Sequence, residues 1–364
     1  MLRAIALAAA LSLWGCSKAG DVGPGLPCKA GDRECAFKAV RAHVAKRQAF
    51  WKDAFARPLA ERIGPAPREL VEILALDNIA HGYPNQPRTV KPAPDFTDDV
   101  RRALEELPAS VRRKLEPRLA GIYFIEDIGG TGYTDQINAA DGSPAGGFII
   151  LDPLVLRSHT ANSWATWRDG TPFKPGTAHR LEETLEDAAQ DNRKNAIQYI
   201  LLHELGHVLA IGGPFHPDWN IAPKDVKSTR EFPFFELSWT IPAGESRYAT
   251  RFDAAFPQRG NIAYYFGPKL AGNEMVAAYE ALERTNFPTL YAATSPGDDF
   301  AEAFANYVHT ELLKRPFEIR LYDGARLEKR YGPCWSQARC AEKRKILEDL
   351  LGTSGPAGAA AGAG

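Results

Sequence analysis

The run Leu201-Leu202-His203-Glu204-Leu205-Gly206-His207-Val208-Leu209-Ala210 constrains this chain more than any other stretch. It sets two histidines four positions apart in an apolar segment without proline. At 3.6 residues per turn, such positions share one face of a helix. Two imidazoles placed so can grip one zinc ion, and the Glu204 carboxylate between them can reach a water on that ion. The lead-in 195–200 carries neither Pro nor Gly, and Ile197, Ile200, Leu201, Val208 and Ile211 recur at helical spacing. The pattern predicts a helix with one face in a core and the other bearing the histidines. Gly212-Gly213-Pro214 then stops it. The competing reading is a buried amphipathic helix whose histidines are satisfied core residues.

The 364 residues allow one large domain or two modest ones. Apolar content of 45 % and charged content of 24 % are those of a soluble globular chain, and a net charge of -1 gives nucleic acid nothing to bind. No apolar run beyond the N-terminus is long enough to span a bilayer. The N-terminus differs. Met1-Leu2-Arg3 is basic, residues 4–14 are apolar but too few for an ordinary span, and Leu13-Trp14-Gly15-Cys16 follows. This reads as a secretory signal, 1–15, ending in a bacterial lipobox with Cys16 as the lipidated first residue. Trp14 is unusual there, and an ordinary cleaved signal or a buried N-terminal helix is the alternative. By resemblance to bacterial lipoproteins, Ser17 points to the outer membrane. Five cysteines fit export. With Cys16 lipidated, the simplest pairing of the other four is Cys28 with Cys35 and Cys334 with Cys340, in an oxidising periplasm. A structural zinc site suits them less, because no C-x-x-C spacing is present.

Residues 16–33, rich in Gly and Pro, read as a flexible tether, and the Gly/Ala tail 352–364 as disordered. Between them, 34–351 reads as one α+β domain, mostly helical with a small mixed sheet. Its part 34–118 is predicted helical, at 34–62, 67–80 and 97–118. Strands are expected at 122–125 and 147–151 with a glycine loop, 129–132, between them. A helix is expected over 181–211 with a break. An irregular aromatic stretch, 212–272, follows. Then come helices at 273–285 and 296–314, a hairpin around Asp323-Gly324, and a helix at 338–351.

A catalytic zinc needs a third protein ligand and an open position. Six residues after His207 stands Gly213, so a third histidine at metzincin spacing is absent, and His216 is out of register. A carboxylate from a later helix remains. Ser295 can cap such a helix with Pro296 in its first position. Asp298 and Glu302 then lie four apart on one face. One can bind zinc, while the other accepts the free N–H of a zinc-bound histidine. Glu302 as the ligand, backed by Asn306, is a second solution. Asp298 and Asp299 as mere first-turn charges favoured by the helix dipole are a third.

His203-Glu204-x-x-His207, taken with Tyr291 and the run Asp298-Asp299-Phe300-Ala301-Glu302-Ala303-Phe304, resembles the lethal-factor-type zinc peptidases and the related Mlc titration factor peptidases. Two short stretches carry the resemblance. It implies a zincin-like catalytic domain holding one catalytic Zn2+. His203, His207 and Asp298 would be its ligands, Glu302 the support behind them and Tyr291 a hydrogen-bond donor to the transition state. Those families have Glu where this chain has Asp298, so the helix must sit closer to the metal. The expected activity is zinc-dependent endopeptidase, with Glu204 as general base. The alternatives are hydrolysis of another amide, such as a cell-wall crosslink, or a zinc-binding lipoprotein without catalysis. The expected partners are a peptide or protein substrate, no nucleic acid, and the membrane through the lipid anchor only. The 147–151 strand is the expected edge along which substrate pairs.

Overall fold

The apolar runs around 122–125 and 147–151 demand burial on both faces, because successive side chains of a strand point to opposite sides. The computed structural model of the protein, which describes residues 25–265 and 267–353, gives them that burial. The signal 1–15, Cys16, much of the tether and the tail from 354 lie outside the described residues.

The chain begins with α1 (Arg33–Ala42), α2 (Lys52–Phe55), β1 (Ile63–Pro65), α3 (Arg68–His81), β2 (Arg88–Thr89), α4 (Pro94–Glu105) and α5 (Ala109–Leu115). The central part holds β3 (Leu119–Glu126), β4 (Gly132–Asn138), β5 (Pro144–Leu151), α6 (Pro153–Leu156), α7 (Ala161–Gly170), β6 (His179–Thr184) and α8 (Arg193–Ala210). Next come α9 (Pro233–Glu236), β7 (Trp239–Thr240), β8 (Ala249–Thr250), α10 (Met275–Glu283) and α11 (Pro296–Tyr307). The chain closes with β9 (Glu318–Asp323), β10 (Arg326–Tyr331) and α12 (Ala341–Leu351). This is an α+β fold in which helix outweighs strand.

The main sheet runs β1-β3-β5-β4, with β2 added beside β3. β1, β3 and β5 are parallel, and β4 is antiparallel to β5. Alternation sorts the side chains into two cores. Ile122, Phe124, Ile149 and Leu151 face the helices α4, α7, α8 and α11, while Tyr123, Ile125, Phe148 and Ile150 face Trp51, Leu70 and Ile73 of the N-terminal part. That part is therefore mixed rather than purely helical, since β1 and β2 join the sheet. The predicted helix 34–62 breaks into short pieces after Ala42, and 97–118 divides into α4 and α5 at Pro108. β6, absent from the expected pattern, pairs with β9 in a second sheet that includes the predicted hairpin. Cys28 is bonded to Cys35, and Cys334 to Cys340.

The expected substrate edge is also corrected. The 147–151 run lies in β5, which is flanked on both sides by β3 and β4. The edge is β4. Its sequence is polar on one face, as suits an edge, and its far end is capped: Arg47 bridges Asn138, and Lys46 pairs with the buried Asp135. The open part of the edge begins at Gly132.

Candidate metal centre

α8 carries the motif. Asn192 caps it by accepting the Asn195 N–H, and the chain leaves it through Gly212 at φ +65°. Its packing differs from the expected half-buried form, because all but two of its residues are buried, between the sheet and α4, α7 and α11. Its polar residues are buried with the apolar ones, so more than one face of the helix is covered. Against it lies α11, capped as the sequence predicts by Ser295, whose hydroxyl accepts the Asp298 N–H at 3.1 Å. The two helices meet at Gly206, where a Cβ would stand 2.8 Å from the Ala301 Cα. Glycine there lets α11 come close, and Asp298 reaches the histidines with its shorter arm.

The ring nitrogens converge. His203 Nε2 and His207 Nε2 stand 3.1 Å apart, and Asp298 Oδ1 lies 3.9 and 3.7 Å from them. A circle through three atoms so spaced has a radius of about 2.1 Å, the length of a zinc–nitrogen or zinc–oxygen bond. The donor set therefore fits one ion of zinc size, and His203, His207 and Asp298 form a group able to hold a metal. Asp298 is aimed for it. Its other oxygen accepts hydrogen bonds from Thr294 Oγ1 at 2.9 Å and Ser295 Oγ at 2.7 Å, which leaves Oδ1 toward the rings.

Glu302 does not belong to that set. It lies on the opposite side of the His203 ring, with Oε1 2.8 Å from Nδ1. The fully buried carboxylate also accepts from Thr289 Oγ1 at 2.7 Å and faces Arg168 at 3.3 Å. Burial alone would raise its pKa, but Arg168 and the bonds from His203 and Thr289 outweigh it and bring the pKa down to about 2. Glu302 stays ionised and keeps the His203 proton on Nδ1, which leaves the Nε2 lone pair free for a metal ion. His207 is held neutral, first by burial and then by the neighbouring His203 and His216.

Glu204 lies beside the set on the sheet side. Its Oε2 accepts from Thr134 Oγ1 at 2.7 Å. A Cβ on Gly132 would fall 2.4 Å from its Oε1, so a side chain there would push the carboxylate out of its present place. Burial raises the pKa of Glu204, and the charge of Asp298 adds to this, while His203 and Thr134 oppose. Tyr291 lies flat on His203, with ring centroids 5.2 Å apart and planes 4° from parallel. His216 stands nearby but outside the ligand group: its Nδ1 donates to Pro217 O at 2.8 Å, and its Nε2 is buried without a partner. His203, Glu204, His207, His216 and Tyr291 line one cleft of about 640 Å³, together with Gly132, Thr134 and the exposed Trp219.

Sequence reasoning missed Gly132, Thr134, Thr289 and Arg168. Only Gly132 had a local signal, as the last glycine of a glycine-rich run. Compared with known protein families, curated proteins and solved structures, the chain shows no match. The two disulfides suggest an oxidising compartment outside the cytoplasm, and among the described residues no helix is long and apolar enough to cross a membrane.

Proposed function

We propose that the protein is a zinc-dependent endopeptidase, exported and anchored by lipid on Cys16. The observation that carries this is the convergence of His203, His207 and Asp298 with a buried carboxylate, Glu204, beside them and an open strand edge alongside. Zinc held there would supply a Lewis acid and a water acidified towards neutrality. Glu204 takes the proton of the attacking water and returns it to the leaving amine. Its raised pKa, which burial causes, suits both halves of that task. Thr134 fixes one of its oxygens and Gly132 clears space for the other. Tyr291, next to His203, donates its hydroxyl to the carbonyl oxygen as charge develops there. The peptide pairs with the open edge of β4, the place the sequence reading gave to β5.

Metal analysis and a peptide library test this together. The purified protein should hold one equivalent of zinc, and His203→Ala or His207→Ala should lose it, since a three-ligand site tolerates little loss. Unchanged metal in both variants would place the metal elsewhere. Stoichiometric zinc with no peptide cleaved would favour hydrolysis of a different amide, or a binding lipoprotein.

A further inference from the structure

A second, much smaller space adjoins Glu204. It measures about 30 Å³ and is lined by Gly132, Glu204, Trp164, Arg168, Tyr265 and Tyr291 among others. That volume holds one water or one methyl group. Beyond it lies a groove of about 660 Å³, walled by Phe173, Val155 and two exposed apolar side chains, Leu154 and Trp167. Tyr265 is the residue common to the two linings. Its ring stands between Tyr291, at 6.4 Å, and Trp167, at 5.7 Å.

The backbone at Tyr265 is unusual. Its φ is +66°, one of three positive values at non-glycine positions among the described residues. A bulky aromatic residue rarely adopts that region, and such outliers gather where a site needs a side chain held in one place. Its N–H donates to Thr171 Oγ1 at 3.4 Å. The ring is thus posted as a partition.

We propose that Tyr265 closes the subsite beside Glu204, so that the enzyme cleaves before a small residue: glycine, alanine or serine. The proposal rests on the peptidase reading. A peptide antiparallel to β4 runs from the Asn138 end toward Gly132, so the residue after the scissile bond points its side chain to the small cavity. Charge does not select here. Arg168 faces Asp169, Glu183 and Glu302, which leaves no net positive charge to draw an acidic side chain. Without the Tyr265 ring the cavity would open into the Trp167 groove and take a large aromatic side chain.

The test uses the zinc-loaded protein and peptides that differ only in the residue after the scissile bond. For the wild type, kcat/KM with Ala at that position should exceed that with Phe by about 100-fold or more, because a large side chain has no room. Tyr265→Gly, which also suits the positive φ, should raise the Phe-to-Ala ratio by about 10-fold or more, and Tyr265→Phe should keep the wild-type ratio. A wild-type preference for bulky residues would overturn the proposal whether or not the variants fold. So would a Tyr265→Gly protein that cleaves with the wild-type ratio. A zinc-loaded wild type that cleaves no peptide would overturn the peptidase reading first, and this proposal with it.

Discussion

At the residue scale, the site divides its two acidic tasks by position. Glu204 is one residue from His203 in sequence and lies on the sheet side of the metal group, where Thr134 holds one of its oxygens. Glu204→Gln keeps the shape and leaves the three proposed ligands in place. Zinc content should stay the same while turnover falls by about two to four powers of ten. A fully active variant would remove Glu204 from the general-base role. Asp298 and Glu302 separate in a comparable way. A group that orients a histidine is worth about 10–100-fold in metal affinity or activity, and a ligand more. Asp298→Ala should therefore lose zinc more completely than Glu302→Ala in a metal titration. The reverse order would mean that Glu302 moves round the ring to bind the ion.

At the element scale, the contact of α8 with α11 decides whether the ligands meet. Gly206→Ala sets two effects against each other. Alanine favours a helix interior over glycine by about 1 kcal/mol. Its Cβ, however, would stand 2.8 Å from the backbone of Ala301, and overpacking of a tight core costs about 1–3 kcal/mol. Backbone cannot yield as a side-chain tip can, so the net effect should be destabilising, with weaker zinc binding as α11 shifts. Denaturant unfolding and metal content measure both, and a more stable variant would contradict the close-packing argument. The helices of this pair were legible in the sequence. Apolar residues recur at helical spacing through α8, and Ser295-Pro296 announces the start of α11. The strands β4 and β6 were not. Gly-Tyr-Thr-Asp-Gln-Ile-Asn and His-Arg-Leu-Glu-Glu-Thr are polar, and their pairing comes from partners distant in the chain or hidden behind a loop. Without β4, the sequence gives the edge to its most apolar neighbour, β5. Arg168 had no local signal at all, because it meets Glu302 across 134 positions of chain.

At the scale of the whole molecule, the sheet separates a helical layer that carries the candidate metal centre from an N-terminal layer that also caps the far end of β4. One buried group ties this helical layer to acid stability. His309 lies in the π-helical turn Val308–Leu312 that extends α11, and its Nε2 donates to Leu185 O and Pro316 O, both at 3.0 Å. Its Nδ1 is buried without a partner. Burial pulls its pKa down to about 4, against the two carbonyls that favour the proton, and nearby Arg315 adds to the drop. The unfolded chain, with a histidine of pKa about 6.5, then binds a proton that the folded chain refuses. Stability should fall as pH drops through about 6.5 and level off below about 4, for a loss of up to about 3 kcal/mol. His309→Gln cannot titrate, so its stability should fall less over that range. Parallel curves for the two proteins, by denaturant unfolding at each pH, would contradict this.

Everything proposed for this site depends on one zinc ion held by His203, His207 and Asp298. A crystal structure of the zinc-loaded protein, with anomalous data at the zinc edge, tests it most directly. A single strong peak should lie about 2.0–2.2 Å from His203 Nε2, His207 Nε2 and Asp298 Oδ1, with Glu302 still on His203 Nδ1. A peak bonded to Glu302 or His216 in place of Asp298, or no peak between the two histidines, would contradict it.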